Sequence, residues 1–138
     1  MSVAHHTLRI ATPGAGLVEI TREVADWVAL QNAGEGLLTI FCRHTSASLL
    51  IQENADPSVQ RDLQRFFERI APHAEGLWEH DTEGPDDMPA HVRAALTQTS
   101  LSIPVVGGRM ALGTWQGIYV FEHRDAPHRR DIVLTLVS

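Results

Sequence analysis

Three histidines stand where their side chains could do chemistry: His44, His80 and His91. His80 and His91 enclose the segment HDTEGPDDMPAH, residues 80–91, whose four acids and near lack of apolar residues exclude it from a core. His44 follows the apolar run GLLTIFC, and the end of a strand holds a side chain rigidly beside a cleft. Three neutral imidazoles that converge with one open position form a zinc site of the catalytic type. Spacing alone does not require such a site, because no H-x-x-x-H or H-x-H pair occurs among the three, and a solvated acidic loop is the alternative.

The residues around His91 allow more than one role. Pro89 predicts the first turn of a helix, and the positive end of that helix would keep His91 neutral. Glu83, Asp86 and Asp87 could orient the histidines, hold Mg²⁺ or only solvate the loop. Capping the helix is the simplest role for Asp86 or Asp87.

Two further acids, Glu53 and Glu122, each follow an apolar strand pattern. A carboxylate there either projects past the edge of a sheet or is partly buried and paired. The first case predicts a catalytic base or a group that orients a histidine. The second predicts a structural ion pair, with Arg124 or Arg129 as the partner.

Hydroxyls, arginines and an aromatic residue could bind the substrate. RHTSAS carries small hydroxyls that can hold a phosphate, and HRR at residues 128–130 could hold a small anion. In GTWQG, a tryptophan could stack on a planar ring beside an amide that donates hydrogen bonds. The predicted substrate- or anion-binding residues are Thr45, Ser46, Asn54, Trp115, Gln116, Arg129 and Arg130. No G-x-S-x-G elbow and no P-loop occur, which disfavours a serine hydrolase and a nucleotide-binding loop.

The composition excludes several classes of function. The net charge is −6, which disfavours a nucleic-acid partner. All 11 basic residues are arginine, so a lysine Schiff base is excluded. Cys42 is the single cysteine and lies in an apolar run, which predicts a buried small side chain and no cysteine-rich zinc site. Neither a signal peptide nor a membrane-spanning run is visible, so we expect a cytoplasmic protein with no membrane partner.

The elements that must position these residues follow from local patterns. Strands are predicted over residues 6–11, 16–20, 37–43, 47–53, 102–106 and 110–112, and in TWQGIYVFEHR and RDIVLTLVS. The last two are predicted to form a hairpin through RDAPH, and the strand at 37–43 to be central and covered on both faces. A helix should begin at Thr21 as its cap, a second at Asp56 and Pro57, and a third near Pro89. This pattern predicts one α+β domain over residues 1–138, with about three helices and a mixed, largely antiparallel sheet.

Long stretches of the chain resemble a known family. HTSASLLIQENADP, EGPDDMPAHVRAAL and SLSIPVVGGRMALGTWQGIYVFEHRDAPHRR are similar to the YjbQ family, an uncharacterised protein family in which some members are named secondary thiamine-phosphate synthase. The likeness runs from about residue 7 to the C-terminus. It implies a sandwiched α+β fold and a homotrimer with sites near subunit boundaries. It also implies that His44, His80 and His91 converge on one polar cleft that holds a divalent metal, zinc or else Mg²⁺, or an anion.

These expectations combine into a functional hypothesis. The resemblance implies a small trimeric enzyme that acts on phosphorylated small molecules, with secondary thiamine-phosphate synthase activity as the concrete version. There, a histidine-bound metal and the anion-binding residues would neutralise a leaving pyrophosphate, and Glu53 or Glu122 would act as base. A metal-dependent hydrolase using the same cleft is one alternative. A non-catalytic protein that binds a metal or an anion is the other.

Overall fold

The chain folds into three helices and eight strands. The structure is a computed structural model that describes residues 1–138. The strands are β1 (Val3–Thr12), β2 (Gly16–Glu19), β3 (Gly36–Cys42), β4 (Ala47–Glu53), β5 (Ser100–Val106), β6 (Arg109–Met110), β7 (Gln116–Glu122) and β8 (His128–Val137). The helices are α1 (Thr21–Leu30), α2 (Pro57–Ile70) and α3 (Asp87–Leu96). Five strands form one sheet in the order β1-β8-β3-β5-β6, three form another in the order β2-β7-β4, and every pairing is antiparallel. The predicted α+β class is confirmed.

The hydrophobic core lies between the two sheets. The five-stranded sheet contributes alternate residues, among them Leu38, Ile40 and Leu134, and the three-stranded sheet contributes Leu49 and Val120. Side chains two apart on a strand share a face, so the alternating pattern turns each set inward. Each fully buried side chain of this size contributes roughly 1.5–3 kcal/mol. The packed core therefore holds the two sheets together and fixes the positions of the polar residues at the ends of their strands.

Helix α2 begins as the sequence predicts and covers the outer face of the three-stranded sheet. The Asp56 carboxylate accepts a hydrogen bond from the backbone N–H of Ser58 at 2.9 Å, and Pro57 is the first helical residue. The ring of Phe67 meets the ring of Phe121 on β7 edge to face, with centroids 5.3 Å apart. The helix thus packs on the side of β7 that faces away from the core.

The start of α1 differs from the prediction. Thr21 was predicted to cap the helix but is its first residue, and Ile20 precedes it without a side-chain cap. The Thr21 hydroxyl instead donates to a carboxylate oxygen of Glu19 and accepts from the backbone N–H of Ile118, both at 2.8 Å. A partner on a distant strand therefore replaces the local cap.

The predicted hairpin between the last two strands is wrong. β7 pairs with β2 and β4, whereas β8 pairs with β1 and β3 in the other sheet. The loop from His123 to Pro127 crosses from one sheet to the other. Pairing is decided by long-range contacts that a turn signal does not contain.

The prediction that the strand at 37–43 is covered on both faces is half wrong. β3 is central, between β8 and β5, and Leu38, Ile40 and Cys42 are buried. On its other face, Leu37 and Phe41 are 47% and 46% exposed. Within one chain, no layer covers this outer face of the five-stranded sheet. None of the helices combines the length and apolar character that crossing a membrane requires.

Candidate functional site

Two of the predicted histidines meet around a carboxylate. The Nε2 atoms of His80 and His91 lie 2.8 and 3.2 Å from the same Oδ2 atom of Asp87. These three atoms all lie within 4.8 Å of one another, a distance at which one metal ion could bind all three. The Asp87 side chain is 3% exposed, while His80 and His91 are 44% and 29% exposed, so the group opens to solvent on the histidine side.

Local structure explains how the three residues come together. Asp87 is the first residue of α3 and His91 lies four positions later, so both side chains are on one face of the helix. The loop before the helix brings His80 back to the same place, and it turns at Gly84, whose φ of +108° is a conformation that glycine adopts readily. The polar segment is thus an ordered loop and helix start.

An arginine after β7 holds this loop in position. Arg124 Nη1 donates to Asp87 Oδ1 and its Nε donates to Asp86 Oδ2, both at 2.9 Å. Its Nη2 donates to the backbone carbonyl of Glu83 at 2.9 Å. The predicted capping role of Asp86 or Asp87 is wrong, because Asp86 makes no side-chain cap and both carboxylates bind Arg124.

These contacts also decide the charge of the central carboxylate. Burial by itself would raise the pKa of Asp87. The hydrogen bond from His80 and the positive charge of Arg124 are among the interactions that outweigh burial, and the pKa lies below its ordinary value. Asp87 is therefore an anion at neutral pH, as a metal ligand must be.

The hydrogen bonds of His91 define its tautomer. The backbone carbonyl of Thr45 can only accept, so the His91 Nδ1 atom, 2.9 Å away, carries the proton and donates it. In a neutral ring, Nε2 then presents a lone pair to Asp87 Oδ2. Two acceptors this close repel each other unless a proton on Nε2 or a metal ion bound to both supplies positive charge.

The third predicted histidine is not part of this group. The Nε2 atom of His44 accepts a hydrogen bond from the backbone N–H of Asp131 at 2.8 Å. Burial, and after it the charge of Arg130, lowers the pKa of His44. The prediction that His44, His80 and His91 share one ligand therefore needs correction within this chain: Asp87 takes the place expected for His44. This segment contributes to the group through its backbone instead, because the carbonyl of Thr45, next to His44, accepts the hydrogen bond from His91.

The predicted roles of Glu122 as catalytic base and Arg130 as anion binder are also corrected. Both residues are buried, and Arg130 Nε donates to Glu122 Oε1 at 2.7 Å while its Nη2 donates to Oε2. Thr12 and the backbone N–H groups of His123 and Arg124 complete the partners of the carboxylate. Burial opposes ionisation, but the bonds from Arg130 and Thr12 outweigh it and lower the pKa of Glu122. Glu122 therefore forms a structural ion pair, and its partner is Arg130 instead of the predicted Arg124 or Arg129.

The remaining predicted residues divide between the two ends of β4 and β7. Glu53, Asn54, Trp115 and Gln116 cluster where β4 ends and β7 begins: Glu53 pairs with Gln116, and the backbone N–H of Asn54 donates to the carbonyl of Trp115. Thr45 and Ser46 precede β4 at its opposite end. Six residue steps at about 3.4 Å separate the two groups by roughly 20 Å. One chain therefore does not combine them in a single cleft.

The two predicted hydroxyl residues and Arg129 differ in availability. The Ser46 hydroxyl accepts from Arg130 Nη2 at 3.0 Å, while Thr45 is exposed and contributes its carbonyl to His91. Arg129, on β8, is exposed and free of salt bridges. Of the predicted anion-binding arginines, Arg129 alone could reach a solvent-borne ligand.

Comparison with known proteins identifies the family. The family model described as UPF0047 protein YjbQ-like matches residues 6–138. The chain belongs to the YjbQ-like UPF0047 family. It is 50% identical over 127 residues to the UPF0047 protein sll1880 of Synechocystis, a match that covers 92% of this chain and 86% of the relative. It is 44% identical over 131 residues to the UPF0047 protein YjbQ of Escherichia coli O157:H7, covering 94% of each chain.

Solved structures of the YjbQ-like family share the fold. An uncharacterised YjbQ/UPF0047 protein from Clostridium acetobutylicum superposes with a TM-score of 0.85 at 33% identity, over 97% of this chain and 99% of that chain. The conserved hypothetical protein TT1486 from Thermus thermophilus superposes with a TM-score of 0.84 at 34% identity, over 96% of this chain and 99% of that one. The resemblance found in the sequence is confirmed at the level of family and fold.

In this YjbQ-like chain, the sequence prediction missed two members of the site. Asp87 was considered for orienting the histidines, holding Mg²⁺ or capping the helix, but not as a zinc ligand, and Arg124 was considered only as a partner of Glu53 or Glu122. The four-residue interval from Asp87 to His91 at a helix start was a usable signal, since such pairs share a face. Nothing local pointed to Arg124, which reaches the loop from a strand end more than thirty positions away.

Proposed function

We propose that the chain is a metal-dependent enzyme that binds a divalent ion between His80, Asp87 and His91. Zinc is the metal that we propose first. Two imidazoles and one carboxylate are a common ligand set for catalytic zinc, with a further position left for the substrate or water. The observation that carries the proposal is that one ligand atom each of His80, Asp87 and His91 lie within 4.8 Å of one another. In a neutral His91 ring, the Nε2 lone pair faces the Asp87 oxygen. A metal ion would remove the repulsion between these two acceptors.

The surrounding residues have defined parts in such a site. The Thr45 carbonyl fixes the ring of His91, and Arg124 fixes the carboxylate of Asp87 through its other oxygen. Such supporting contacts maintain ligand geometry and are worth about 10–100-fold in metal affinity. A divalent metal held by these residues would supply a Lewis acid and would activate water for attack. Hydrolysis of a small molecule is the reaction class that these groups support best.

Thiamine-phosphate synthase activity remains a narrower prediction from the resemblance. It would use the same metal to neutralise a pyrophosphate, but most residues expected to bind the anion lie outside this group in one chain. A homotrimer is part of the proposal, since a neighbouring copy would cover the outer face around Leu37 and Phe41. Mg²⁺ in place of zinc, a non-catalytic metal- or anion-binding role and a cytoplasmic location also stay predictions.

Metal titration of single variants tests the proposal. Protein without a histidine tag is stripped with a chelator, and zinc binding is measured by calorimetry and elemental analysis. His80→Ala, His91→Ala and Asp87→Asn should each weaken binding at least tenfold, because each removes one ligand. His5→Ala is the matched control, an exposed histidine bound to Thr135 and far from the group in sequence.

His44→Ala separates the two versions of the site. In the arrangement described here it keeps zinc affinity within a factor of about three, since its Nε2 is committed to the backbone of Asp131. A loss equal to that of His91→Ala would restore His44 as a ligand. Zinc binding that is unchanged in all of the ligand variants would refute the metal site. Product analysis with metal-loaded protein and a panel of phosphorylated and amide substrates then separates hydrolysis from synthase activity.

A further inference from the structure

A cavity of about 520 Å³ adjoins the histidine group. His80 belongs to both, because it binds Asp87 and also forms part of the cavity wall. Small organic ligands occupy cavities of roughly 300–1,000 Å³, so this space suits one. The rest of the wall comes from the loop between α2 and α3, residues 73–85. A molecule in the cavity would therefore have one end beside the proposed metal.

The wall of the cavity contains one large aromatic side chain, Trp78, and two carboxylates. The indole N–H of Trp78 donates to the carbonyl of Pro72 at 3.1 Å, which fixes the ring in the wall. The permanent charges of the wall are the carboxylates of Glu75 and Asp81, and no arginine lines it. Asp81 also lines a second depression together with Glu79. A phosphate would meet repulsion in this cavity, whereas a cation would be attracted.

The loop that forms the cavity, residues 73–85, contains no arginine. Arg124 contacts the loop, and its guanidinium binds Asp86, Asp87 and the carbonyl of Glu83. The face of a fixed indole attracts a cation through its π-electrons, and nearby carboxylates add to that attraction. An organic ammonium group with a flat or ring-shaped body satisfies both features.

We propose that this cavity is a binding site for a positively charged amine carried on a flat or aromatic body. The further role of this cavity as the substrate pocket of an enzyme rests on the proposed function. The amine would lie between Trp78, Glu75 and Asp81, and the opposite end of the molecule would point past His80 toward the metal ligands. The substrate class of the site is then an amine, and any phosphate that the substrate carries lies outside this cavity.

Three benzyl compounds of similar shape test the proposal on metal-free protein. Benzylamine is positive at neutral pH, benzyl alcohol is neutral and benzyl phosphate is negative. Binding is followed by NMR through the indole N–H signal of Trp78, which is assigned by its loss in Trp78→Leu. One cation–π contact and two exposed carboxylates predict that benzylamine binds about tenfold more tightly than benzyl alcohol. Benzyl phosphate should bind more weakly than either.

Variants of the acids identify the cause of the preference. Glu75→Gln combined with Asp81→Asn should bring benzylamine down to the affinity of benzyl alcohol and leave the alcohol unchanged. Glu79→Gln is the matched control, an acid of the same loop that does not line the cavity, and it should retain the preference. Trp78→Leu should weaken all three compounds, and binding to this variant is followed through the NMR signals of the compounds because the indole signal is absent. If that variant fails to fold, the acid variants still decide the question.

The outcomes separate this proposal from the metal site. Benzyl phosphate binding as tightly as benzylamine, a preference that survives loss of both acids, or no response of the Trp78 signal to benzylamine would overturn the amine pocket. Zinc binding measured on the same preparations is independent of these results. Amine binding without zinc binding would leave the pocket standing and remove the proposed metal function, and zinc binding without amine preference would do the reverse.

Discussion

The buried ion pair of Glu122 and Arg130 leads to a quantitative prediction. Glu122→Gln keeps the shape of the side chain but removes its charge, and it leaves the guanidinium of Arg130, itself 4% exposed, without a counter-charge. Removing one partner of a buried pair costs about 3–5 kcal/mol, because the remaining charge stays out of water. Domains of this size have total stabilities of about 5–15 kcal/mol. The variant should therefore lose a large share of its free energy of unfolding.

The assay is urea unfolding monitored by circular dichroism. Free energies of unfolding are compared between variants whose dependence on urea concentration has the same slope. The matched control is Asp131→Asn, which breaks the exposed contact with Arg9 at 3.7 Å and should change the free energy of unfolding by less than about 1 kcal/mol. Replacing both Glu122 and Arg130 by leucine should cost less than Glu122→Gln alone, since no charge is then left buried. A loss below about 1 kcal/mol for Glu122→Gln, or loss of the proposed metal-dependent activity with unchanged stability, would refute the structural role and favour the catalytic one.

Two further predictions concern the core. His123 is buried and its pKa is lowered to about 3, first by burial and then by the charge of Arg93, from an unfolded value of 6.5. Above pH 6.5 neither state gains a proton there, and below it the unfolded state does, so the free energy of unfolding should fall by up to about 1.4 kcal/mol per pH unit until pH nears 3. Urea unfolding between pH 7.5 and 5 should show a weaker pH dependence of the free energy of unfolding in His123→Asn than in the unmodified protein. Equal pH dependence in the two would contradict the lowered pKa of His123. Leu134→Ala should cost about 2–5 kcal/mol, against less than about 0.5 for the exposed Leu30→Ala, and similar losses in the two would contradict the core described here.

The helices and strands were predictable where their signals are local. Asp56 and Pro57 mark the start of α2 because a carboxylate cap and a missing N–H act on the next few residues alone. The strand at Ala47–Glu53 matches its predicted bounds. Thr21 failed as a cap because its hydroxyl found the backbone of β7, nearly a hundred positions away. Local capping rules fail where tertiary packing brings a hydrogen-bond partner from a distant part of the chain to the capping side chain.

The site shows the same division. His80 and His91 were singled out by residue type, by the polar segment they enclose and by the family resemblance. The role of Asp87 depends on the turn of the loop and on Arg124, and that of Glu122 on burial beside Arg130. A carboxylate has the same chemistry in the sequence whether it later faces a metal, a guanidinium or water. Its environment alone decides among these roles.

The amino-acid sequence by itself determined the α+β class, the family, the capped start of α2 and the two histidines of the loop, since these depend on residue type and short-range spacing. Tertiary structure alone decided that the last two strands enter different sheets, that His44 turns to the backbone of Asp131, and that Asp87 stands between His80 and His91. The physical reason is that hydrogen bonds and ion pairs form between whichever groups the packed core brings within about 3 Å. Those distances exist once the chain has folded.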